Sequence, residues 1–388
     1  MKLLLLANPY ANGGDYLILD RVVELLKLFK PYAEIHCQFE PNKLLDPSII
    51  NQYAAVITGG GGAQFSEQFI RQSPTYRLID QIKIPIHYMG TGIYSSAGFD
   101  AVVYQIQYSA DIIAYFNKVI DKGGQLAARD TIVEAILKNN GLQNVIMTGC
   151  PAWYDYRRIN SLDLESTNLK SPAHVKELFV SNHGLTKNQN DHAAKIGQMV
   201  SLLTWLKRKY HKAQITLTFN DGIETRYSRN YNATVQEYAL AHGVKCLDLS
   251  YDGRKFEAIR HADLHVGFRV HTHLYLLSQR VPSLLIEEDI RGFGMNEVLG
   301  LPHVTAYDEE MMMETGRFSP NSYLLKKTDN VLDHMMSTNF IDTRTAFVRM
   351  KNAFDVGMVK WLRNIPQAGD QGVDHQADVD AEGGTDGL

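Results

Sequence analysis

The stretch 263–302 constrains the fold more than any other part of this sequence. It begins with a short apolar run, Leu264 to Val266, which predicts a buried strand. An apolar helical segment follows and stops before Pro282, and a second apolar strand, Ser283 to Ile286, comes directly after the proline. Strand, loop, helix and strand in so short a span indicate parallel strands joined by a helix, the repeating unit of α/β sheets.

A cationic cluster of Arg269, His271 and His273 lies between that first strand and the helix. In open α/β sheets, ligands bind at the carboxyl ends of strands, where helix N-termini expose N–H groups. Basic residues are unfavourable in a first helical turn, so an anionic ligand would compensate for Arg269 and His271. In the alternative interpretation, Arg269 pairs with a carboxylate such as Asp263 or Glu288, and His271 is a buried structural histidine. For His273 the structural interpretation is favoured.

Apolar runs alternate with helical segments along most of the chain, which predicts an α/β fold of two doubly wound, Rossmann-like domains facing across a cleft. Gln64 to Ile79 is predicted to be a helix, Val304 to Tyr307 a strand, and Met311 to Pro320 a loop. The helix predicted over 344–363 is long enough to cross back onto the first domain. The predicted divisions are an N-terminal domain at 1–155, a linker at 156–174, a second domain at 175–310, a C-terminal loop and helix at 311–365, and a disordered acidic tail at 366–388.

Small-residue loops follow two strands of the first half. Asn12-Gly13-Gly14-Asp15 comes after the first strand, and Gly59 to Gly62 follows the third. Glycines there let the backbone approach a ligand, although four glycines are also typical of a flexible turn and Asp15 would serve as an N-cap. Neither loop matches the dinucleotide fingerprint or the Walker loop. Arg129 follows the predicted strand Gln125 to Ala128, and its side chain either faces the cleft or braces its loop.

Composition excludes several classes of function. The formal net charge is −4, and the tail carries six acidic residues without Lys or Arg, so the body is at −4 + 6 = +2 and has no nucleic-acid footprint. Three distant cysteines indicate reduced thiols and neither a disulfide framework nor a metal site. No apolar run approaches membrane-spanning length, which leads us to expect a cytoplasmic protein. The sequence leaves the oligomeric state open.

The order and spacing of the loop motifs in this sequence resemble those of the polysaccharide pyruvyl transferase family, which has a GT-B-like architecture. The resemblance covers most of 1–305. The matching motifs are Asn12-Gly13-Gly14-Asp15, Gly59–Gly62, Ala128-Arg129-Asp130, Gly149-Cys150-Pro151-Ala152 and, most specific, Gly267-Phe268-Arg269-Val270-His271 with its Leu-rich helix and VPSLLI strand.

The resemblance implies transfer of pyruvate from phosphoenolpyruvate to two hydroxyls of a sugar in a cell-surface or exopolysaccharide precursor, forming a ketal. It implies no metal and no cofactor besides phosphoenolpyruvate as co-substrate. Arg269 would hold the phosphate or carboxylate of the donor, and His271 would donate or accept protons. By role, the implied residues are Arg269, His271 and Asp15 for catalysis; Arg269, Val270, His271, His183 and Arg291 for the donor; and Asn12, Gly13, Gly60, Gly61 and Arg129 for the acceptor.

Two positions depart from the family pattern. His183 stands where many members carry an arginine, and Cys150 stands where an acidic residue is usual; Arg291 is expected to supply the missing positive charge. One alternative function is a nucleotide-sugar glycosyltransferase of the same architecture, with Glu287 to Asp289 on the ribose and Arg269 on the diphosphate. Another is a non-catalytic member that binds a glycan or a partner.

Overall fold

The computed structural model describes residues 1–7, 9–38, 46–59, 65–94, 106–165, 169–184, 190–223, 229–315 and 318–366. Among these residues, no helix is both long and apolar enough to cross a membrane. The acidic tail beyond Pro366 lies outside the described residues, so its predicted disorder stays a prediction.

The first half forms a six-stranded parallel sheet in the order β2-β1-β3-β4-β5-β6. Its strands are β1 (Lys2–Leu6), β2 (Glu34–Gln38), β3 (Ala55–Thr58), β4 (Ile86–Thr91), β5 (Gln125–Ala128) and β6 (Val145–Met147). The helices of this half are α1 (Gly13–Phe29), α2 (Pro47–Ile50), α3 (Glu67–Gln72), α4 (Pro74–Arg77), α5 (Ala110–Asp121) and α6 (Thr131–Asn139).

The second half forms a five-stranded parallel sheet in the order β11-β10-β7-β8-β9. Its strands are β7 (Glu177–Ser181), β8 (Gln214–Phe219), β9 (Lys245–Asp248), β10 (Leu264–Gly267) and β11 (Ser283–Leu285). Its helices are α7 (Asn190–Lys209), α8 (Arg229–Ala241), α9 (Val270–Ser278) and α10 (Ile290–Leu299). The predicted architecture of two doubly wound α/β domains is confirmed.

Burial explains why the central strands have apolar sequences. Every residue of β3 and of β10 is buried, because helices cover both faces of a parallel sheet. The edge strands β2 and β9 have mostly half-buried or exposed residues and mixed sequences. One apolar core contains Leu3 and Leu5 from the first sheet together with Val180 and Val266 from the second, so the halves pack against each other.

The chain ends in four further helices, α11 (Glu309–Thr315), α12 (Leu324–Ser337), α13 (Ile341–Asn352) and α14 (Val359–Arg363), with a π-helical turn at Ala353–Met358. The predicted crossing back is confirmed. Trp361 is buried beside His87 of β4, and Lys30 Nζ donates to the Arg363 carbonyl at 3.4 Å.

Three predicted elements are wrong in detail. The loop over 311–320 begins as helix α11, whose first turn Asp308 caps by accepting from the Met311 N–H at 3.1 Å. The helix expected over 64–79 is the pair α3 and α4, because Ser73 is extended before Pro74. The strand expected over 304–307 consists of isolated bridges at Thr305 and Tyr307, and α12 was not predicted.

Strand order determines where a ligand can bind. The first sheet reverses its winding between β1 and β3, and the second reverses between β7 and β10. At such switch points the connections leave on opposite faces and open a crevice at the carboxyl ends of the strands. Asn12 to Asp15 follow β1, His183 follows β7, and Arg269 to His271 follow β10. The predicted site residues therefore follow strands that border the switch points.

Candidate functional site

The start of α1 meets the second domain directly. The Gly13 N–H donates to the Asn220 carbonyl at 2.8 Å, across the seam between the domains. A Cβ on Gly14 would lie 2.0 Å from His271 Nδ1, so only glycine permits this approach. Asn12, not Asp15, is the N-cap of α1, and its Oδ1 accepts from the Gly14 N–H at 2.9 Å. The interpretation of Asp15 as the cap is therefore wrong, and its carboxyl remains available for other contacts.

Arg269 is positioned by the strand next to its own. Its backbone N–H donates to Ser181 Oγ at 3.0 Å, and its guanidinium forms a bidentate pair with Asp221, with Nη1–Oδ2 at 2.8 Å and Nη2–Oδ1 at 3.0 Å. Asp263 instead accepts two backbone N–H groups, those of Lys176 and Glu177, and does not pair with Arg269. The pair with Asp221 occupies two of the five N–H donors of Arg269, so three remain for a ligand.

His271 lies in the first turn of α9, 5% exposed. Burial, with the nearby charges of Arg129, Arg291 and Arg269, holds the pKa of His271 well below its usual range. The imidazole is therefore neutral at physiological pH and able to accept a proton. Its Nε2 has no hydrogen-bond partner among the residues that the structure describes.

Asp15 is the carboxyl on the opposite side of the seam. Burial raises its pKa to about 6; Arg291, Arg269 and Arg129 act to lower it, and Asp221 acts to raise it. The same three arginines act on His271, so Asp15 and His271 lie in one common field. A carboxyl with a pKa near neutrality can exist in both protonation states at the pH of the cell, as a general acid requires.

Arg129 follows β5 and is 1% exposed. None of its three guanidinium nitrogens has a hydrogen-bond partner in the described part of the chain. The Asp130 carboxylate is 3.8 Å from Arg129 Nε, which is too far for a hydrogen bond. Asp130 Oδ1 instead caps α6 by accepting from the Val133 N–H at 2.8 Å. These contacts do not support the interpretation that the Arg129 side chain braces its loop by hydrogen bonding.

Cys150 is fully buried near Arg129. Burial raises the pKa of its thiol to about 11, and Arg129 is the charge that most strongly opposes this rise. The thiol is therefore neutral, and it does not compensate the guanidinium as a carboxylate at this position would.

His183 does not supply a positive charge at the end of β7. It is buried and stacks on Phe268 with ring centroids 3.5 Å apart, and its Nδ1 lies 2.9 Å from Glu288 Oε1. Burial lowers the pKa of His183 to about 4 despite Glu288, so its ring is neutral. Lys195 is the cation next to His183, and Glu288 balances its charge, with Lys195 Nζ 2.8 Å from Glu288 Oε1. Lys195 belongs to no motif, and sequence reasoning missed it.

Arg291 is the second residue of α10, which follows β11, and Val270 is the first residue of α9, which follows β10. Asp289 caps α10 through the Arg291 N–H at 2.9 Å and pairs bidentately with its guanidinium, with Nε–Oδ1 at 3.0 Å and Nη2–Oδ2 at 2.7 Å. The Arg291 guanidinium also lies 5.3 Å from the ring centroid of Tyr94. Val270 is the half-buried first residue of α9.

His273 has a structural environment, in agreement with the favoured interpretation. It is fully buried, and its Nδ1 lies 2.7 Å from Ser283 Oγ. The same hydroxyl is 2.7 Å from Nδ1 of His265, whose Nε2 is 3.0 Å from Ser181 Oγ. This buried network ties β7, β10, α9 and β11 together beneath Arg269.

The carboxylates expected to bind ribose in the glycosyltransferase alternative already have partners. Glu287 is fully buried and accepts from Asn296 Nδ2 at 2.7 Å, and Glu288 is held by His183 and Lys195. Asp289 pairs with Arg291. These contacts do not favour that alternative.

The structure places Asp15, His271, Arg129, Arg269 and Arg291 around one seam, but Gly60 and Gly61 lie outside the described residues. Sequence reasoning gave no role to Asp221, although its position directly after β8 was a usable signal. In the described ranges there is no group of His, Cys, Asp and Glu side chains arranged to hold a metal ion.

Two parallel-sheet domains whose strands point their carboxyl ends at a shared seam define a GT-B-like protein. UDP-GlcNAc 2-epimerase from Neisseria meningitidis, solved with UDP-GlcNAc, shares this fold at 11% identity and a TM-score of 0.51, covering 93% of this chain and all of that chain. S. aureus MnaA, solved with UDP, matches at 11% identity and a TM-score of 0.49, covering 89% and 94%. The Methanocaldococcus jannaschii UDP-GlcNAc 2-epimerase matches at 10% identity and 0.47, covering 86% and 100%.

The model of the family described as polysaccharide pyruvyl transferase matches residues 12–195, from the cap of α1 to Lys195 in α7. This match covers slightly less than half of the chain and confirms the resemblance over the first four motifs, whereas Gly267–His271 lies outside the matched residues. No curated protein matches this chain.

Proposed function

We propose that this protein transfers pyruvate from phosphoenolpyruvate to two hydroxyls of a sugar in a cell-surface or exopolysaccharide precursor, forming a ketal. The observation that carries the proposal is the position of Arg269 and His271, at the start of α9, against Asp15 and Arg129 from the other domain. The site thus has cationic groups for an anionic donor and two residues for moving protons.

The donor's phosphate fits best beside Arg269 and Arg291. Both side chains keep part of their surface accessible, 12% for Arg269 and 29% for Arg291, and each retains N–H donors after pairing with its carboxylate. Guanidinium groups bind phosphate oxygens through charge-assisted hydrogen bonds.

The proton balance assigns complementary roles to Asp15 and His271. Protonated Asp15 donates to the methylene carbon of the donor, which becomes a methyl group and leaves an oxocarbenium-like centre at the adjacent carbon. A sugar hydroxyl adds to that carbon and gives its proton to neutral His271. The C–O bond to phosphate then breaks, the second hydroxyl adds, and its proton leaves with phosphate or solvent. Phosphate and the ketal are the products.

Exposed aromatic side chains suit the acceptor. Tyr10 and Tyr251 are 60% and 52% exposed, and the Tyr251 N–H donates to the Ala11 carbonyl at 3.0 Å, next to the Asn12–Asp15 loop. Flat aromatic faces beside the catalytic groups offer a platform for a sugar ring. We place the reaction in the cytoplasm, because the three cysteines are free thiols, as is usual in a reducing compartment.

The test is phosphate release from phosphoenolpyruvate in the presence of pooled sugar acceptors, with the ketal identified by mass spectrometry. Arg269→Ala removes the guanidinium and is expected to lower turnover by about 100-fold or more, the loss typical of a charge-stabilising donor. Arg254→Ala, on a side chain that is 86% exposed, is the matched control and should leave turnover unchanged. Wild-type turnover in Arg269→Ala would contradict the proposal.

A further inference from the structure

Glu287 is a fully buried carboxyl group that lies two residues beyond β11. Its Oε1 accepts from Asn296 Nδ2 at 2.7 Å and lies 2.8 Å from Nδ1 of His303. Its Oε2 has no hydrogen-bond partner among the described residues. A buried carboxylate with an unsatisfied oxygen is costly unless a cation lies beside it. The ionised form of Glu287 therefore depends on its contact with His303.

The pair of Glu287 and His303 holds α10 in place. Asn296 belongs to α10, and the His303 ring stacks on Phe293 of the same helix with ring centroids 4.4 Å apart. The Glu287 backbone N–H donates to the Val304 carbonyl at 2.7 Å, so the strand end before α10 also binds the segment after it. A weaker contact between Glu287 and His303 would therefore loosen the helix at both of its ends.

The first turn of α10 carries Arg291, beside which we place the phosphate of the donor. Asp289, two residues after Glu287, caps the helix and pairs with the Arg291 guanidinium. Gly292 packs against Glu287, since a Cβ on this glycine would lie 3.4 Å from Glu287 Cγ. The buried carboxyl and the phosphate-binding guanidinium are therefore parts of one turn.

His303 is the member of this cluster that can carry a positive charge, and its side chain is 34% exposed, so it exchanges protons with solvent. Burial acts to lower the pKa of His303, but Glu287 and, to a smaller extent, Glu297 raise it above its usual value. Burial raises the pKa of Glu287, which His303 opposes and Glu309 reinforces. Tyr307 also faces Glu287, and it stays neutral because burial raises its pKa.

We propose that His303 is a positioning residue whose protonation holds Glu287, and through it Arg291, in the geometry that binds the donor. This inference rests on the proposed function and deepens it, because it adds regulation by pH to that site. Protonated His303 balances the buried carboxylate and tightens the turn after β11. When His303 loses its proton, the carboxylate loses its countercharge and the turn is held less firmly. Donor affinity then falls as the pH rises.

Thermal denaturation of the ligand-free protein between pH 5.5 and pH 8.5 tests the pair itself. His303→Gln keeps a hydrogen-bond donor for Glu287 but cannot become charged. The pKa of His303 is raised in the folded protein, so its stabilising effect is present below the unfolded value of about 6.5 and is lost as the pH rises through the folded value. The wild type should therefore melt at a higher temperature than His303→Gln at pH 5.5, and the two melting temperatures should converge towards pH 8.5.

The matched control is His36→Gln. His36 pairs with Glu34 at 2.6 Å, but the Glu34 side chain is 59% exposed. Exposed ion pairs contribute little to stability because water and salt screen them. This variant should melt together with the wild type across the whole range.

Calorimetric titration of phosphoenolpyruvate over the same range tests the link to Arg291. At pH 5.5 the wild type should bind about fivefold more tightly than His303→Gln, which is at the low end of couplings between sites, and at pH 8.5 the two affinities should be equal. Comparing the two proteins at each pH removes the titration of the ligand itself. In a Glu287→Gln background, His303→Gln should no longer produce a pH-dependent change in affinity or melting temperature.

A difference in melting temperature that stays constant from pH 5.5 to pH 8.5 would overturn the inference, and so would affinities of the wild type and His303→Gln that change in parallel. If His303→Gln does not fold, Glu287→Gln alone decides, because its melting temperature should depend less on pH than that of the wild type. If the wild type binds no phosphoenolpyruvate, the proposed function fails, and the melting temperatures still decide whether His303 holds Glu287.

Discussion

Arg129 and Arg280 are buried to the same extent, 1% exposed each, yet their surroundings differ completely. Arg280 donates from Nε to the Ser161 carbonyl at 2.5 Å, and from Nη2 to the Arg158 carbonyl at 2.6 Å. Its guanidinium also lies 4.8 Å from the ring centroid of Phe347. Arg129 has none of these contacts in the described structure.

The difference between these arginines shows that burial alone does not identify a functional charge. Arg280 is satisfied by carbonyls that come from the interdomain segment and from its own helix turn, so it fastens that segment to the second domain. Burial lowers the pKa of Arg280 to about 10, still well above physiological pH. The Arg129 guanidinium donates no hydrogen bond to another residue in the described part of the chain, so no comparable fastening role follows for it.

The largest effect on stability is expected from Arg280→Met. The substitution removes four hydrogen bonds to backbone carbonyls, two of them buried, and it should lower the free energy of unfolding by about 3–5 kcal/mol. Arg129→Met is the matched variant; it removes a buried charge without breaking a hydrogen bond in the described part of the chain, so it should not lower the free energy of unfolding. Urea denaturation measures both. Equal losses in the two variants would break the comparison between the two arginines.

A smaller, pH-dependent change in the free energy of unfolding is expected from Asp15→Asn, which extends the comparison from buried arginines to a buried carboxyl. The folded-state pKa of Asp15 is raised to about 6, so ionised Asp15 destabilises the fold above that pH. The cost disappears as the pH falls from about 6 towards 4, where the carboxyl is protonated in the folded protein. Asparagine mimics the protonated form, and the variant should be more stable by about 3 kcal/mol at pH 8.

Denaturation of Asp15→Asn and of the wild type at intervals between pH 4 and pH 8 checks this. The two stability curves should converge at the acidic end. A constant difference across the range would show that Asp15 does not titrate there.

Local sequence signals were sufficient for much of the fold. Continuous apolar runs such as Leu3 to Leu6 predicted buried parallel strands because both faces of such a strand are covered. The small-residue loop Asn12–Asp15 predicted a close approach, and Gly14 makes one against His271. Methionine-rich α11 was predicted as a loop because its apolar residues are consecutive and lack the helical period.

The pairing of side chains in the site was not predictable in this way. Arg269 pairs with Asp221, which lies on a different strand, and Glu288 with Lys195 from the middle of α7. Such pairs depend on strand order and on the seam between domains, which no local pattern records. The lack of a hydrogen-bond partner for Arg129 in the described structure was the hardest feature to predict from the sequence, because it depends on which neighbouring side chains do not reach the guanidinium.

Calorimetric titration of phosphoenolpyruvate and, separately, of UDP into the ligand-free wild-type protein tests the central claim most directly. We expect that phosphoenolpyruvate binds, that pyruvate competes with it, and that UDP produces no binding heat. Binding of UDP without binding of phosphoenolpyruvate would contradict the account and would favour a nucleotide-sugar enzyme built on the same two domains.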